Sequence, residues 1–372
     1  MSIESRPLGE SKTLQETLTV DSVATESSGN VELRILSYTE VSPEAWDSYV
    51  LNHPSGTVFH VFGMQVVFER TPANKPTALA ALDSDGNIVA MLTAVRVETM
   101  SGLASRIASR SIFYCEPICD STPAGLLALQ KLVKRHDELN RGRILFSEIR
   151  PHENTDVQRP VLISRQYEFM DYLNYRVNLK TTIDKGWSSL SKSCRKQIRK
   201  CRNRDVEIVV ETSPDSIDQM YELVQFSYDR SGVPLADREL FHNALEILGN
   251  EIVEVRLALV DGQPAAAGIV LKFKDVIYAW YGGALRIAGL SPFAHLTWDE
   301  IESGIRDGFR YYDFGGAGWP NEEYGPREFK SKFGGELVRF GRYRRIDSRW
   351  KLTLATFAYD AKQKLKSFFS SR

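Results

Sequence analysis

The feature that most constrains how this chain can fold is an internal duplication. Residues 78–82 run into an Asp85-Gly86 turn and out through residues 88–97. Residues 255–260 likewise run into Asp261-Gly262 and out through residues 265–273. Alternating apolar runs around an Asp-Gly pair read as antiparallel hairpins. After each hairpin comes an apolar strand (111–115 and 276–281), then a helix (123–139 and 292–306). Each helix ends at a glycine suited to left-handed backbone, Gly142 or Gly308, and a further strand follows (143–149 and 309–314). A hairpin, a strand, a helix and a last strand make a mixed sheet with helices on its faces. Two copies predict two tandem domains of α/β (α+β) type, each a mixed, mostly antiparallel sheet flanked by helices.

The length of 372 residues agrees, because one hydrophobic core stops growing at about 250 to 300 residues. Residues 1–30 are rich in Ser, Thr and Glu and poor in bulky apolar groups, which predicts a disordered tail. The first domain spans 31–165, opening with a strand at 33–37 and a helix start at Ser42-Pro43-Glu44. The second spans 166–346 and inserts helical stretches at 188–204, 216–231 and 237–248 before its hairpin. Residues 347–372 carry apolar groups at helical spacing, from Trp350 through Phe357 and Leu365 to Phe368, and predict a C-terminal amphipathic helix.

Several classes of function are disfavoured. A net charge of -1 offers no global field for DNA or an acidic membrane. No run of 18 apolar residues and no leader pattern occurs, so a cytoplasmic location is expected. The C-terminal lysines and phenylalanines allow at most peripheral contact with the inner face of a membrane, docking on the first domain being preferred. Cys115, Cys119, Cys194 and Cys201 lack zinc or redox spacing and read as buried thiols, and the six histidines form no metal pattern. No metal and no tightly bound cofactor is expected.

Chemistry-bearing segments concentrate between Tyr278 and Glu336. Tyr281-Gly282-Gly283-Ala284 leads to Arg286, Gly289 and Ser291 just before a helix; bare main-chain N–H groups and a helix N-terminus suit a phosphate. The same string also suits an ordinary glycine turn. Asp313 stands at a strand end before Gly315 and Gly316, either orienting a ligand or capping the turn. Lys330 lies between Phe329 and Phe333, which would partly desolvate an ammonium able to stabilise negative charge on an acyl oxygen. No acid occurs from Lys185 to Arg204, and Lys192, Arg195, Arg199 and Arg202 share one helical face that would hold an anion.

Taken in order, these segments resemble the FemAB-like and CelD-like branch of the GNAT acyltransferase superfamily, whose members include peptidoglycan bridge-forming aminoacyltransferases. The resemblance covers about residues 33–343. It is carried by the Arg-x-x-Ile-Arg-Lys core at 195–200, Tyr281-Gly282-Gly283-Ala284, Trp298-Asp299-Glu300-Ile301, Tyr312-Asp313-Phe314-Gly315-Gly316 and Phe329-Lys330-x-x-Phe333-Gly334-Gly335. It implies two GNAT domains facing a cleft and direct transfer of an acyl group to an amine from a coenzyme A thioester or an aminoacyl-tRNA; the expected pair is acyl-CoA as donor cosubstrate and an amino-sugar or lipid-linked envelope or polysaccharide precursor as acceptor. It also implies that the Phe329-Lys330 pair lies by the reaction centre.

The residues then take these expected roles. Tyr281, Gly282, Gly283, Arg286, Gly289 and Ser291 hold the donor, and Lys330 stabilises the oxyanion. Asp313 or Glu300 orients the amine or takes its proton. Arg195, Arg199, Gly315, Gly316 and Phe329 bind substrate. A tRNA-dependent aminoacyltransferase is the alternative, disfavoured because no heptad-rich helical arm interrupts the second domain. A non-catalytic, polyanion-binding module of GNAT shape is the third reading. In the first copy, Phe113-Tyr114-Cys115-Glu116-Pro117 replaces the glycine run, so that domain is expected to shape the acceptor side.

Overall fold

The computed structural model of the chain describes residues 32–98, 109–349 and 353. The expected tail at 1–30 and nearly all of the expected C-terminal helix lie outside the described residues.

The first half runs β1 (Arg34–Ser37), α1 (Pro43–Asn52), α2 (Phe62–Arg70), β2 (Asn74–Leu82), β3 (Ile88–Val97), β4 (Arg110–Phe113), β5 (Ile118–Cys119), α3 (Pro123–Asn140), β6 (Phe146–Ile149) and α4 (Arg159–Ser164). Next come β7 (Glu168–Met170), β8 (Leu173–Asn178), α5 (Ile183–Ser189), α6 (Lys192–Arg202), β9 (Glu207–Glu211), α7 (Pro214–Ser231) and α8 (Glu239–Leu248). The second copy of the motif follows as β10 (Val253–Val260), β11 (Gln263–Phe273), β12 (Val276–Ala284), α9 (Pro292–Arg306) and β13 (Tyr311–Gly318). The last elements are α10 (Gly325–Ser331), β14 (Glu336–Val338) and β15 (Arg342–Ile346).

The duplication is explicit in the pairing. In each half the hairpin pairs antiparallel with the next strand, and that strand pairs parallel with the one beyond the helix: β4 with β6, β12 with β13. The second hairpin turns on Asp261 and Gly262, both at positive φ, as a two-residue turn of matching twist requires. Gly142 and Gly308 follow their helices at positive φ.

The strands form two sheets, β1-β2-β3-β4-β6-β15-β7 with β5 on β3, and β14-β8-β13-β12-β11-β10-β9. Sequence order and sheet membership part company at the edges. The strands β7 and β15, within the 166–346 stretch assigned by sequence to the second domain, pair in the first sheet. Arg344 meets Glu148 across the β15–β6 ladder, and local patterning carries no information about so distant a partner.

Helices α2, α7 and α8 lie between the sheets. One buried cluster there joins Trp46, Met64 and Phe68 of the first half to Leu223, Phe241, Ile269 and Tyr278 of the second. The outer face of the first sheet packs on α3 through Leu129, Leu132, Phe113 and Tyr343. The outer face of the second packs on α9 and α6 through Trp298, Ile301, Ile198 and Tyr312. All four cysteines are buried and free.

Candidate active site

The two parallel strands of the second sheet stay paired only from Val276–Tyr311 to Tyr278–Asp313. Beyond that point β12 continues to Ala284 and β13 to Gly318 without pairing to each other, so the sheet opens into a wedge. Irregularities on both limbs cause it. On β12, Tyr281 pairs with Ile269 and Ala279 with Val270, leaving Trp280 as a bulge. On β13 the register on β8 shifts between Asp313 and Gly316 and again between Gly316 and Gly318. Gly315 and Gly318 sit at φ of 67° and 81°, which a side chain would strain. The wedge-facing edge of β12 therefore offers main-chain groups with no strand partner, a place for an extended ligand.

At the far end of β12 lies the turn before α9. Caps on α1, α3, α5, α6 and α7 are all made by Ser or Thr side chains accepting an N–H of the first turn. Ser291, at the same position of α9, makes no such bond and has φ of -135°. Pro292 has no N–H and Ala294 donates to the Ser291 carbonyl at 3.1 Å, so the Phe293 N–H and the Ser291 hydroxyl are left for another acceptor. Gly289 has φ of 77°, with no atom within 4 Å of where a Cβ would stand, and Arg286 is exposed with no ion pair among the described residues. Arg286, Gly289 and Ser291 are together in an open turn.

The Gly282-Gly283 pair has a different task from the expected one of clearing space for ligand. A Cβ on Gly283 would stand 2.5 Å from the Leu223 carbonyl oxygen, and one on Gly282 would stand 2.5 Å from the Phe293 ring. Both glycines admit protein neighbours, the α7 backbone and an α9 ring. Tyr281, half-buried, packs against Tyr228, Trp280 and Phe241.

On the other limb, Lys330 of α10 donates from Nζ to the Phe314 and Gly316 carbonyls at 2.8 and 2.6 Å. Burial pushes its ammonium down to about 8, against the pull of Asp313. Lys330 braces the bulged strand and keeps a third N–H. Phe329 stacks on Phe293 with centroids 5.4 Å apart, closing the wedge on the α9 side.

Asp313 is buried at the foot of the wedge, where the halves meet. Its Oδ2 accepts from Arg176 Nε at 3.0 Å and contacts His152 Nδ1 at 3.2 Å, and its Oδ1 accepts the Gly315 N–H at 2.7 Å. Burial alone would raise its pKa; the His152 bond and charge and the Arg176 charge instead hold it at about 2. Such a carboxylate is a poor proton acceptor near neutrality and a good anchor for an imidazole.

Glu300 does not join this group. Tyr312 and Asp313 are successive strand residues and point to opposite faces, and Glu300 bonds the Tyr312 hydroxyl at 2.5 Å inside the α9–sheet core. Burial pushes its carboxyl up to about 7. The wedge lies across the sheet from it.

Arg195 and Arg199 are also placed differently from a phosphate cradle. Arg195 Nη1 donates to the Ser188 carbonyl at 2.7 Å and to that of Leu190, capping the end of α5. Arg199 and Arg202 lie over the Trp187 ring at 5.6 and 5.2 Å. The run of cations is thus partly spent on joining α5 to α6.

His152, Arg176 and Glu116 escaped the sequence reading because each lies far along the chain from its partners. The first copy does contain a signal: Tyr114 to Pro117 fall between two registers of β3, residues 95–97 pairing with β4 and 90–91 with β5. In that break Glu116 Oε2 accepts the His152 N–H at 2.8 Å, tying the chain beyond β4 to the chain beyond β6. Where the second copy opens a wedge, the first is stitched shut.

Comparison with known proteins agrees with this geometry. The model of the family described as Acetyltransferase (GNAT) domain matches residues 188–331, from the end of α5 to the end of α10. Among curated proteins, no sequence matches. Among solved structures, FemX is similar with a TM-score of 0.63 at 14% identity, over 85% of this chain and 97% of that one. A tandem GNAT protein from the clavulanic acid biosynthesis pathway gives 0.54 at 11%, over 85% and 99%. L-PGS from Bacillus licheniformis gives 0.53 at 13%, over 85% and 96%. At such identities the likeness is one of fold, and the fold shared is a GNAT pair.

Proposed function

We propose that the chain is an N-acyltransferase of tandem-GNAT, FemAB-like architecture that moves an acetyl-type acyl group from acyl-CoA to an amine of an envelope or polysaccharide precursor. The observation that carries this reading is the parting of β12 from β13 next to an uncapped helix start. A thioester arm lying along the free edge of β12 would put its phosphates at Arg286, Gly289 and Ser291 and its carbonyl near Lys330. The acceptor enters from the first half.

The amine nitrogen attacks the thioester carbonyl carbon, forming the C–N bond, and the carbonyl oxygen takes the negative charge. The third N–H of Lys330 stabilises that oxyanion. Collapse breaks the C–S bond and releases the thiolate. The proton lost by the nitrogen goes to His152, whose side chain is 14% exposed and whose other ring nitrogen is fixed by Asp313. His152 passes that proton to the departing thiolate, directly or through solvent, and returns to its starting state; because the amine attacks the thioester directly, no covalent enzyme intermediate is needed.

The test is thiol release from acetyl-CoA with a panel of amino sugars, free and nucleotide-linked, alongside thermal protection by coenzyme A. Protection together with amine-dependent thiol release is expected; absence of both sinks the donor assignment. Salt-sensitive binding of charged tRNA in place of coenzyme A would favour aminoacyl transfer, for which the exposed Lys192, Lys196 and Lys200 of α6 provide cations.

A further inference from the structure

The face of the first sheet that looks toward the wedge carries an unusual array of charge. Ile112 and Arg344 both register with Glu148 across β4, β6 and β15, so Arg110, Glu148, Arg342 and Arg344 share one face, with Arg150 just beyond β6. Glu148 is 1% exposed and meets Arg150 at 2.8 Å, Arg342 at 3.2 Å and Arg344 at 2.5 Å. Arg110 joins them with its buried Nε lacking any hydrogen-bond partner. Three guanidinium groups therefore share one carboxylate, and a fourth, Arg110, lies within its field.

Against the cost of burial Glu148 lifts Arg150 above the usual guanidinium range, but it does not relieve Arg110 and Arg342. Burial and the Arg150 charge hold both Arg110 and Arg342 below the usual guanidinium range. Rings fix the planes: Arg342 lies over Tyr172 at 3.5 Å, Arg344 over Phe146 at 4.9 Å and Arg150 over Tyr114 at 5.9 Å. The charges are still reachable, the Arg150, Arg342 and Arg344 side chains being 20, 19 and 30% exposed. Arg342 Nη2 also lies 3.3 Å from where a Cβ on Gly316 would be, which sets the array beside the β13 limb of the wedge.

Stacked, partly desolvated guanidinium groups in excess over their acid make a site for a multivalent oxyanion, which they can bind through paired N–H donors. We propose that this array seats a phosphate or diphosphate group of the amine-bearing acceptor. The assignment of that anion to the acceptor rests on the acyl-transfer reading, whereas the site itself does not.

Pyrophosphate is the probe, titrated calorimetrically into the full chain at low salt with saturating coenzyme A present. Binding is expected, at least tenfold weaker in Arg344→Gln, with coenzyme A protection unchanged as the check on folding. Glu148→Gln removes the competing carboxylate and should tighten pyrophosphate several-fold, which a purely structural role for the array would not do. No binding to the wild type, undiminished binding to Arg344→Gln, or weakened binding to Glu148→Gln overturns the proposal. Intact pyrophosphate binding by a chain that ignores coenzyme A supports the site and sinks only the donor assignment. Competition by a soluble nucleoside-diphosphate amino sugar, or by phosphatidylcholine vesicles carrying a polyprenyl diphosphate, identifies the source of the phosphate; competition by neither overturns the acceptor role.

Discussion

At the scale of single residues, the candidate chemistry rests on an ammonium and an imidazole that the fold holds in different ways. Lys330 is fixed by two carbonyls of the bulged strand. Lys330→Met should lower kcat by roughly 10²-fold, the usual cost of an oxyanion donor, with little change in the KM for donor, measured by thiol release. Because its ammonium sits at about 8, activity that needs the charged form should fall as pH rises through that value. His152 is oriented by an Asp313 that stays ionised to about pH 2. His152→Ala and Asp313→Asn should therefore lose activity together, and the double variant should fall little below either single one, as expected of residues acting as a unit. Glu300 serves as a control: Glu300→Gln keeps its volume across the sheet from the wedge, and activity within about twofold of wild type is expected, surface-like neutrality toward catalysis being the test of its placement.

Elements give these residues their positions, and here small backbone irregularities matter more than composition. The wedge exists because Trp280 is extruded from the β11–β12 ladder and Gly315 and Gly318 bend β13. Gly283 matters for close packing, since any Cβ would meet the α7 main chain, which cannot swing aside as a side chain can. Gly283→Ala should cost roughly 1 to 3 kcal/mol of stability, read as a lowered unfolding midpoint in denaturant with unchanged slope. Arg286→Ala should leave that midpoint in place and weaken coenzyme A binding by about tenfold, with a shallower salt dependence, because one exposed charge near a phosphate contributes affinity and no core packing. The basic α6 helix shows how a strong local signal can be divided by the fold, Arg195 turning inward to carbonyls while its neighbours remain in water.

For the whole molecule, the buried cluster that runs from the first sheet through α2, α7 and α8 to the second fixes the two halves against each other and keeps the cleft from being a loose hinge. Its buried acids also make stability depend on pH. Burial raises Glu116 and Glu300 to about 7 from 4.5, so their contribution is whole below about 4.5 and is lost as pH rises through 7. Asp313 works oppositely: lowered from 3.8 to about 2, it contributes above 3.8 and loses that contribution as pH falls toward 2. The unfolding temperature should therefore be highest near pH 4 to 5, and a Glu116→Gln, Glu300→Gln double variant should flatten the decline toward pH 8 while leaving the acid limb alone. The duplication, the Asp-Gly hairpins, the helix ends and the Arg286 turn were all legible in the chain itself, because each depends on residues within a few positions of one another. What local patterning could not contain is long-range: that β15 returns to the first sheet, that Asp313 meets His152 and Arg176, that Glu300 faces the other way, and that Arg342 and Arg344 of β15 join Arg150 on Glu148. Those juxtapositions depend on which strands become neighbours, and sheet order is decided by the packing of whole faces.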